Sequence, residues 1–169
     1  QLVMSLATNI GPKPNLLGET PEHCRRIKVA QPILTNSDLE KIRSIADGHF
    51  KSKTLRILFP VSNGPKGLEQ ALEQLCQQST QAIKSGYNFI ILSDRGVSPE
   101  WAPIPSLLAI STVHHHLIQE CLRAEVGLIV ETGEAREVHH FALLMGYGAG
   151  TINPYLAFEA VKLIVKQEN

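Results

Sequence analysis

"NFIILSDRG", Asn88 to Gly96, is an apolar run that breaks into a charged turn, and its reading decides the fold. The same grammar recurs in "LRILF" (Leu55 to Phe59) and "VGLIV" (Val126 to Val130), short runs rich in Ile, Leu and Val, each followed by a polar turn and then a helical pattern. This repetition predicts β-turn-α units. Strands that are apolar almost throughout need cover on both faces, which favours a mainly parallel sheet with helical crossovers. With "TIN" at Thr151 to Asn153 and a last helix "YLAFEAVKLIVKQ", four β-α units form either half of a TIM-like barrel or a small doubly wound sheet.

The helices carry the matching pattern. In the first, Leu68, Ala71, Leu72, Leu75, Ala82 and Ile83 share one face, while Glu69, Glu73, Gln77 and Lys84 occupy the other, so it should lie against the sheet. Gly86 is a C-terminal stop, and "GYGAG" (Gly146 to Gly150) plays that part for the third helix. Residues 1–53 read differently, as a loop-rich helical arm ahead of an α/β core at 54–169. Gly11, Pro12, Pro14 and Gly18 break any regular element, Thr20-Pro21-Glu22 resembles a helix start, and "SDLE" (Ser37 to Glu40) has capping-box spacing before Ile42 and Ile45.

Composition narrows the function classes. The 169 residues suffice for one domain or a piece of a larger one, and 16 Lys and Arg balance 16 Asp and Glu, so no basic footprint for nucleic acid stands out. Cys24, Cys76 and Cys121 are widely spaced and lack any CxxC pattern, which supports neither a disulfide framework nor a zinc or iron–sulfur site. No apolar stretch reaches the roughly 20 residues of a membrane helix, so the segment reads as soluble. It opens on Gln1, and "QLVMSLATNIG" reads as mid-chain text, the expectation for an excised fragment.

Several clusters invite chemistry. His114, His115 and His116 are consecutive, but successive helical positions lie about 100° apart and cannot converge on one ion. His114 is placed in the middle of the apolar face with Leu107, Ile110, Leu117 and Cys121, as a hydrogen-bonded, semi-buried histidine. His116 points with Gln119 and Arg123. His139 and His140 also diverge and lack zincin spacing. The strand ends are the stronger candidates, because α/β folds place ligands at the carboxyl ends of parallel strands. There Asp94, Arg95, Glu131 and Asn153 would form one polar rim, with Thr132 at the same edge. Either this rim is a site, or Asp94 and Arg95 pair with each other or with Glu131 and tie neighbouring loops together. In "VETGEAREVHH" (Val130 to His140), Glu134 and Glu137 are expected in the first helical turn, where negative charge meets the positive end of the dipole. Arg136 and His140 are i, i+4 neighbours that would share a surface. Phosphate cradles are missing: "SNGPKGLEQ" lacks GxGxxG or GxxxxGK spacing, and "GYGAG" ends a helix rather than opening one. Trp101, between Pro99, Pro103 and Pro105, is expected to anchor a packing contact, and Leu143 hints at burial of its helix on a second side.

Three long strings, "NIGPKPNLLGETPEHCRRIKVAQPILTNSDLEKIR" from Asn9, "ILSDRGVSPEWAPIPSLLAISTVHHHLI" from Ile91 and "VETGEAREVHHFALLMGYGAGTINPYLA" from Val130, closely resemble the central domain of the glutamate synthases, in the bacterial large subunit or the ferredoxin-dependent single chain. The resemblance implies an oxidoreductase of nitrogen assimilation, in which an amino-terminal glutamine amidotransferase domain releases ammonia into an internal tunnel. A flavin-binding barrel then forms 2-iminoglutarate from 2-oxoglutarate and reduces it to L-glutamate with FMN. A 3Fe-4S cluster feeds electrons from ferredoxin or an NADPH-oxidising small subunit. The central domain itself is implied to be a scaffold that helps channel ammonia, binds no cofactor or metal, spans no membrane, and works in the cytoplasm, or in the plastid stroma of a plant or alga. Its partners are the amidotransferase and FMN domains of the same chain. The family's catalytic amino-terminal cysteine has no counterpart here, since Cys24 follows "TPEH", and no catalytic residue of the family carries over. The competing reading is a free-standing α/β small-molecule enzyme that uses Asp94, Arg95 and Glu131, with His114 as base.

Overall fold

A computed structural model describes residues 5–13, 15, 17–45 and 48–167; Pro14 lies outside them. In chain order the elements are β1 (Thr8–Ile10), β2 (Ile27–Val29), α1 (Asn36–Arg43), β3 (Ser52–Arg56), β4 (Leu58–Pro60), α2 (Gly64–Lys84), β5 (Phe89–Ser93), β6 (Trp101–Pro103), α3 (Ser106–Gln119), β7 (Gly127–Glu131), α4 (Val138–Gly146), β8 (Thr151–Asn153) and α5 (Tyr155–Gln167). β3, β5, β7 and β8 form a four-stranded parallel sheet in that order, so each β-α unit adds its strand beside the last. β1 pairs with β2, and β4 with β6, in two small antiparallel ribbons.

Alternation along each strand sorts the core into two layers. Ile90, Leu92, Leu128, Val130 and Ile152 pack on Leu75, Ala82 and Ile83 of α2, Ala109, Ile110, Val113 and Leu117 of α3, and Leu144 of α4. Phe89, Ile91 and Ile129 face the other way, onto Ile10, Leu34, Leu39 and Ile42 of the arm and α1. All three crossover helices therefore cover one face, as in a segment of a β/α barrel, and the doubly wound alternative is set aside. The face that would line a barrel's interior is filled by the chain's own arm.

Several local expectations shift. The "LRILF" run does not form one strand: the sheet strand lies at Ser52–Arg56, and Leu58–Pro60 turns away to pair with Trp101–Pro103. The cap of α1 is Thr35 rather than Ser37. Its hydroxyl accepts from Asp38 N at 3.2 Å, because Asn36 already begins the helix. α4 begins at Val138, not at residue 134, with Glu137 in the N-cap position. His140 Nδ1 accepts from the Arg136 and Glu137 amides at 3.2 and 3.3 Å, so these amides are capped by a ring nitrogen instead of a carboxylate. Trp101 is 45% exposed, on the ribbon where it pairs with Pro60. α5 matches its expected span, yet none of its residues is buried, and Leu156, Val161, Leu163, Ile164 and Val165 stand exposed. On α4 Leu144 is buried, Leu143 is half-buried, and Val138 is 85% exposed. Among the described residues no helix is long and apolar enough to cross a membrane.

Candidate functional site

Register sets the geometry of the strand ends. Ser93 lies beside Glu131, and Glu131 beside Asn153, each the last residue of its strand. Side chains at one level of a parallel sheet point to one face, here the face covered by the arm. Glu131 is 1% exposed and still holds three donors: Ser93 Oγ at 2.6 Å, Arg95 Nε at 2.5 Å and Arg43 Nη2 at 2.8 Å. Burial alone would raise its carboxyl; the hydrogen bonds from Ser93 and Arg95 and the charges of Arg43 and Arg95 overcome that and hold it below the ordinary value. Glu131 is thus a fixed anion whose two oxygens are both engaged. Arg95 lies between it and the Tyr155 ring, 3.9 Å from the ring centroid.

The neighbouring Asp94 does not pair with Arg95. Its Oδ2 accepts from Thr132 Oγ1 and Gly133 N, both at 2.8 Å, which ties the β5 loop to the β7 loop. Since the Thr132 proton goes to Asp94, the 2.7 Å contact between Ser106 Oγ and Thr132 Oγ1 has Ser106 as donor. Glu134, expected in the first turn of α4, instead accepts from Ser106 N at 2.8 Å and caps α3. Pro105 precedes that helix and offers no capping side chain, so the neighbouring loop supplies one. Tyr155 is pushed up to about 12, by burial first and then by the Asp94 carboxylate. Asn153 joins neither group: its Nδ2 donates to Leu34 O and Asn36 Oδ1, both at 2.9 Å, and binds the sheet end to the arm. Among the described residues Asp94 Oδ1 and Asn153 Oδ1 are buried without a hydrogen-bond partner.

Of the four rim residues, then, Arg95 and Glu131 meet directly, Asp94 sits beside them in a hydroxyl network, and Asn153 turns to the arm. Arg43 and Tyr155 belong to the site but were not foreseen. Arg43 arrives from an arm helix 88 residues away in sequence from Glu131. Tyr155 had a usable signal as the first residue of a helix directly after a strand end.

The histidines lie elsewhere. The buried stripe of α3 runs through Ala109, Ile110, Val113 and Leu117, which leaves His114 half-buried at its border rather than at its middle. Cys121 is past the helix end at φ +57° and exposed, not on the apolar face. His114 Nδ1 accepts from Arg123 Nε at 2.9 Å, and Arg123 also donates to Val126 O and Gly148 O. Val126 and Gly148 precede β7 and β8, so His114 is at the amino ends of the strands, across the sheet from Glu131. It cannot serve the rim as a base. His115 Nδ1 contacts Ser111 O, and His116 Nε2 contacts Thr80 Oγ1 rather than following Arg123. Among the described residues no three His, Cys, Asp or Glu side chains are grouped to hold a metal ion.

The implied cofactors do not fit these residues. The sheet end where parallel folds hold phosphates carries the fixed Glu131 anion. The glycine run closes α4, with Gly148 so near His114 that a Cβ there would come within 2.3 Å of the ring. Cys24, Cys76 and Cys121 sit on a 3-10 turn, on α2 and beyond α3.

Comparison with known proteins gives the lineage. The model of the glutamate synthase central domain matches residues 1–169. The chain is 41% identical over 168 residues to the glutamate synthase [NADH] of Schizosaccharomyces pombe, covering 98% of this chain and 8% of that protein. It is 44% identical over 167 residues to the ferredoxin-dependent glutamate synthase of Pyropia yezoensis, covering 95% of this chain and 10% of the relative. With the glutamate synthase [NADPH] large chain of Bacillus subtilis the identity is 43% over 162 residues, 96% of this chain and 10% of the relative. The chain thus spans about a tenth of the length of these relatives. By the match over its whole length and these identities, the chain belongs to the glutamate synthase central domain family.

Proposed function

We propose that this chain is the scaffold of a glutamate synthase. It links a glutamine amidotransferase site to an FMN site that forms L-glutamate from 2-oxoglutarate, and it helps to pass ammonia between them without supplying a catalytic residue. The relatives' names support the parent activity. The observation that carries the scaffold role is the engagement of Glu131: its charge is met by Arg43 from the arm and Arg95 from the next loop, which suits a group that fixes elements in place. A general base needs a pKa near the working pH, and that of Glu131 is held below the ordinary carboxylate value. The exposed apolar faces of α4 and α5 suit packing against other domains of the parent chain. In this reading FMN and the 3Fe-4S cluster belong to other parts of that chain. Electrons come from ferredoxin or an NADPH-oxidising subunit, and the protein works in the cytoplasm or plastid stroma. The proposed division at residues 53 and 54 falls inside β3 (Ser52–Arg56), so the arm that seals one face of the sheet also supplies the first residues of its edge strand.

The test is the full parent polypeptide with Arg95→Gln, assayed three ways: glutaminase, ammonia-dependent glutamate formation and glutamine-dependent glutamate formation. The expected result is a lower glutamine-dependent rate with escape of free ammonia, while the other two rates hold. Loss of the ammonia-dependent rate in a protein of unchanged stability would place the rim at the reacting atoms and end the scaffold reading.

A further inference from the structure

The parallel sheet treats its two edges differently. At β8 the arm lies alongside in a parallel bridge from Ile33 to Ile152, where Ile152 N donates to Pro32 O and Leu34 N to Ile152 O, both at 2.8 Å. β3, at the other edge, pairs among the described residues only with β5. On that inner side Lys51 O accepts from Phe89 N and Ile57 N donates to Ser93 O. In a parallel ladder the same alternate residues make both bonds, so the main-chain N–H and C=O groups of Ser52, Thr54 and Arg56 point to the open side.

This edge is not a bare rim. A groove of ≈ 840 Å³ runs between β3 and α2, with Leu75 among its apolar lining. Lys53 and Arg56 stand on its strand side, Gln74, Gln78 and Gln81 on its helix side, and among the described residues no carboxylate lines it. Charged residues on an edge ordinarily discourage pairing. Here, however, α2 provides a wall opposite the strand, with amide side chains at helical spacing able to meet another backbone. An edge strand flanked by a helix is the arrangement that takes up an added strand.

We propose that this groove receives an extended acidic strand from another part of the same, longer polypeptide. The strand pairs with the open main-chain groups of Thr54 and Arg56 and sets its carboxylates against Lys53 and Arg56. The acidic character follows from charge complementarity with a lining that holds cations only. The source within one polypeptide rests on the glutamate synthase reading, since this chain makes up 8% to 10% of its relatives' length. The added strand extends the sheet on the side away from β8.

The experiment uses the full parent enzyme. A zero-length carbodiimide joins lysine amines to carboxylates in direct contact, and mass spectrometry identifies the joined peptides; residue-resolved hydrogen exchange is read on the same protein. The expected result is Lys53 joined to an Asp or Glu of an extended segment of the same polypeptide. The Thr54 and Arg56 amides should exchange slowly, and roughly tenfold faster in Lys53→Gln/Arg56→Gln, a variant without like-charge strain. Fast exchange at Thr54 and Arg56 while Ile90 and Leu128 stay protected would overturn the proposal. So would Lys53 joined only to a second copy or to a different protein. Glutamate formation by the same preparation reads the parent activity separately, so failure of that assay with an intact cross-link counts against the enzyme reading and not against the added strand.

Discussion

Arg43→Ala offers the sharpest test of how the arm is fastened to the sheet. Arg43 ends α1 and donates to Glu131, whose side chain is 2% exposed, while Arg43 itself is 29% exposed. Removing one partner of a buried ion pair typically costs about 3–5 kcal/mol, because the other charge is left without compensation. Glu131 keeps Ser93 and Arg95 as donors, so the loss reduces to about 1.5–3 kcal/mol, the worth of one hydrogen bond to a charged group. For a chain of this size, at about 2–4 °C per kcal/mol, that corresponds to a fall in melting temperature of about 3–12 °C. The control is Lys41→Ala, which removes an exposed pair with Asp38 and should cost about 0–1 kcal/mol. Urea denaturation followed by circular dichroism gives both values, and a double-mutant cycle with Glu131→Gln isolates the coupling. The pH dependence adds a second signature. The folded Glu131 pKa is depressed, so its contribution is present above the unfolded value and is lost as pH falls through the folded one. Arg43→Ala weakens the depression and should move that loss to higher pH. If Arg43→Ala costs no more than Lys41→Ala and the acid limb does not move, the strand-end network does not hold the arm.

Other expectations follow from single contacts. His114 is held below its ordinary value, by burial first and then by the Arg123 charge, so its neutral form is favoured in the fold. Stability should be full above the unfolded value near 6.5 and fall as pH drops through the folded value, a dependence that His114→Gln should flatten in denaturation curves at pH 5 and pH 7. Gly148→Ala should destabilise by about 2–4 kcal/mol, since the residue has φ +112° and its Cβ would meet the His114 ring, whereas Gly146→Ala, with open space around its Cβ, should change stability by less than about 1 kcal/mol; equal effects would refute the close approach. Thr35→Ala removes the α1 cap and should cost about 1 kcal/mol, while Ser37→Ala should cost little, as read by urea midpoints.

The sequence by itself determined the β-α units, because period and length are local properties. Runs such as Phe89–Ser93 cannot face water on either side, and α2 and α5 carry a helical period that no strand could satisfy. It also placed Glu131 at a strand end and separated the three histidines, since both follow from position within one element. The boundary of β3 escaped it, because Leu55 to Phe59 is equally apolar whether it stays in the sheet or crosses to the ribbon with β6. Only the tertiary structure decided that all crossover helices share one face, and that the loop-rich arm fills the other with Ile10, Leu34, Leu39 and Ile42. That choice depends on which distant surfaces meet, and no periodicity records it. The same reason explains Arg43 and Glu134. Each is an ordinary surface residue on its own element, and each acquires its role from a group brought beside it by the fold: Glu131 for one, the bare amide of Ser106 for the other.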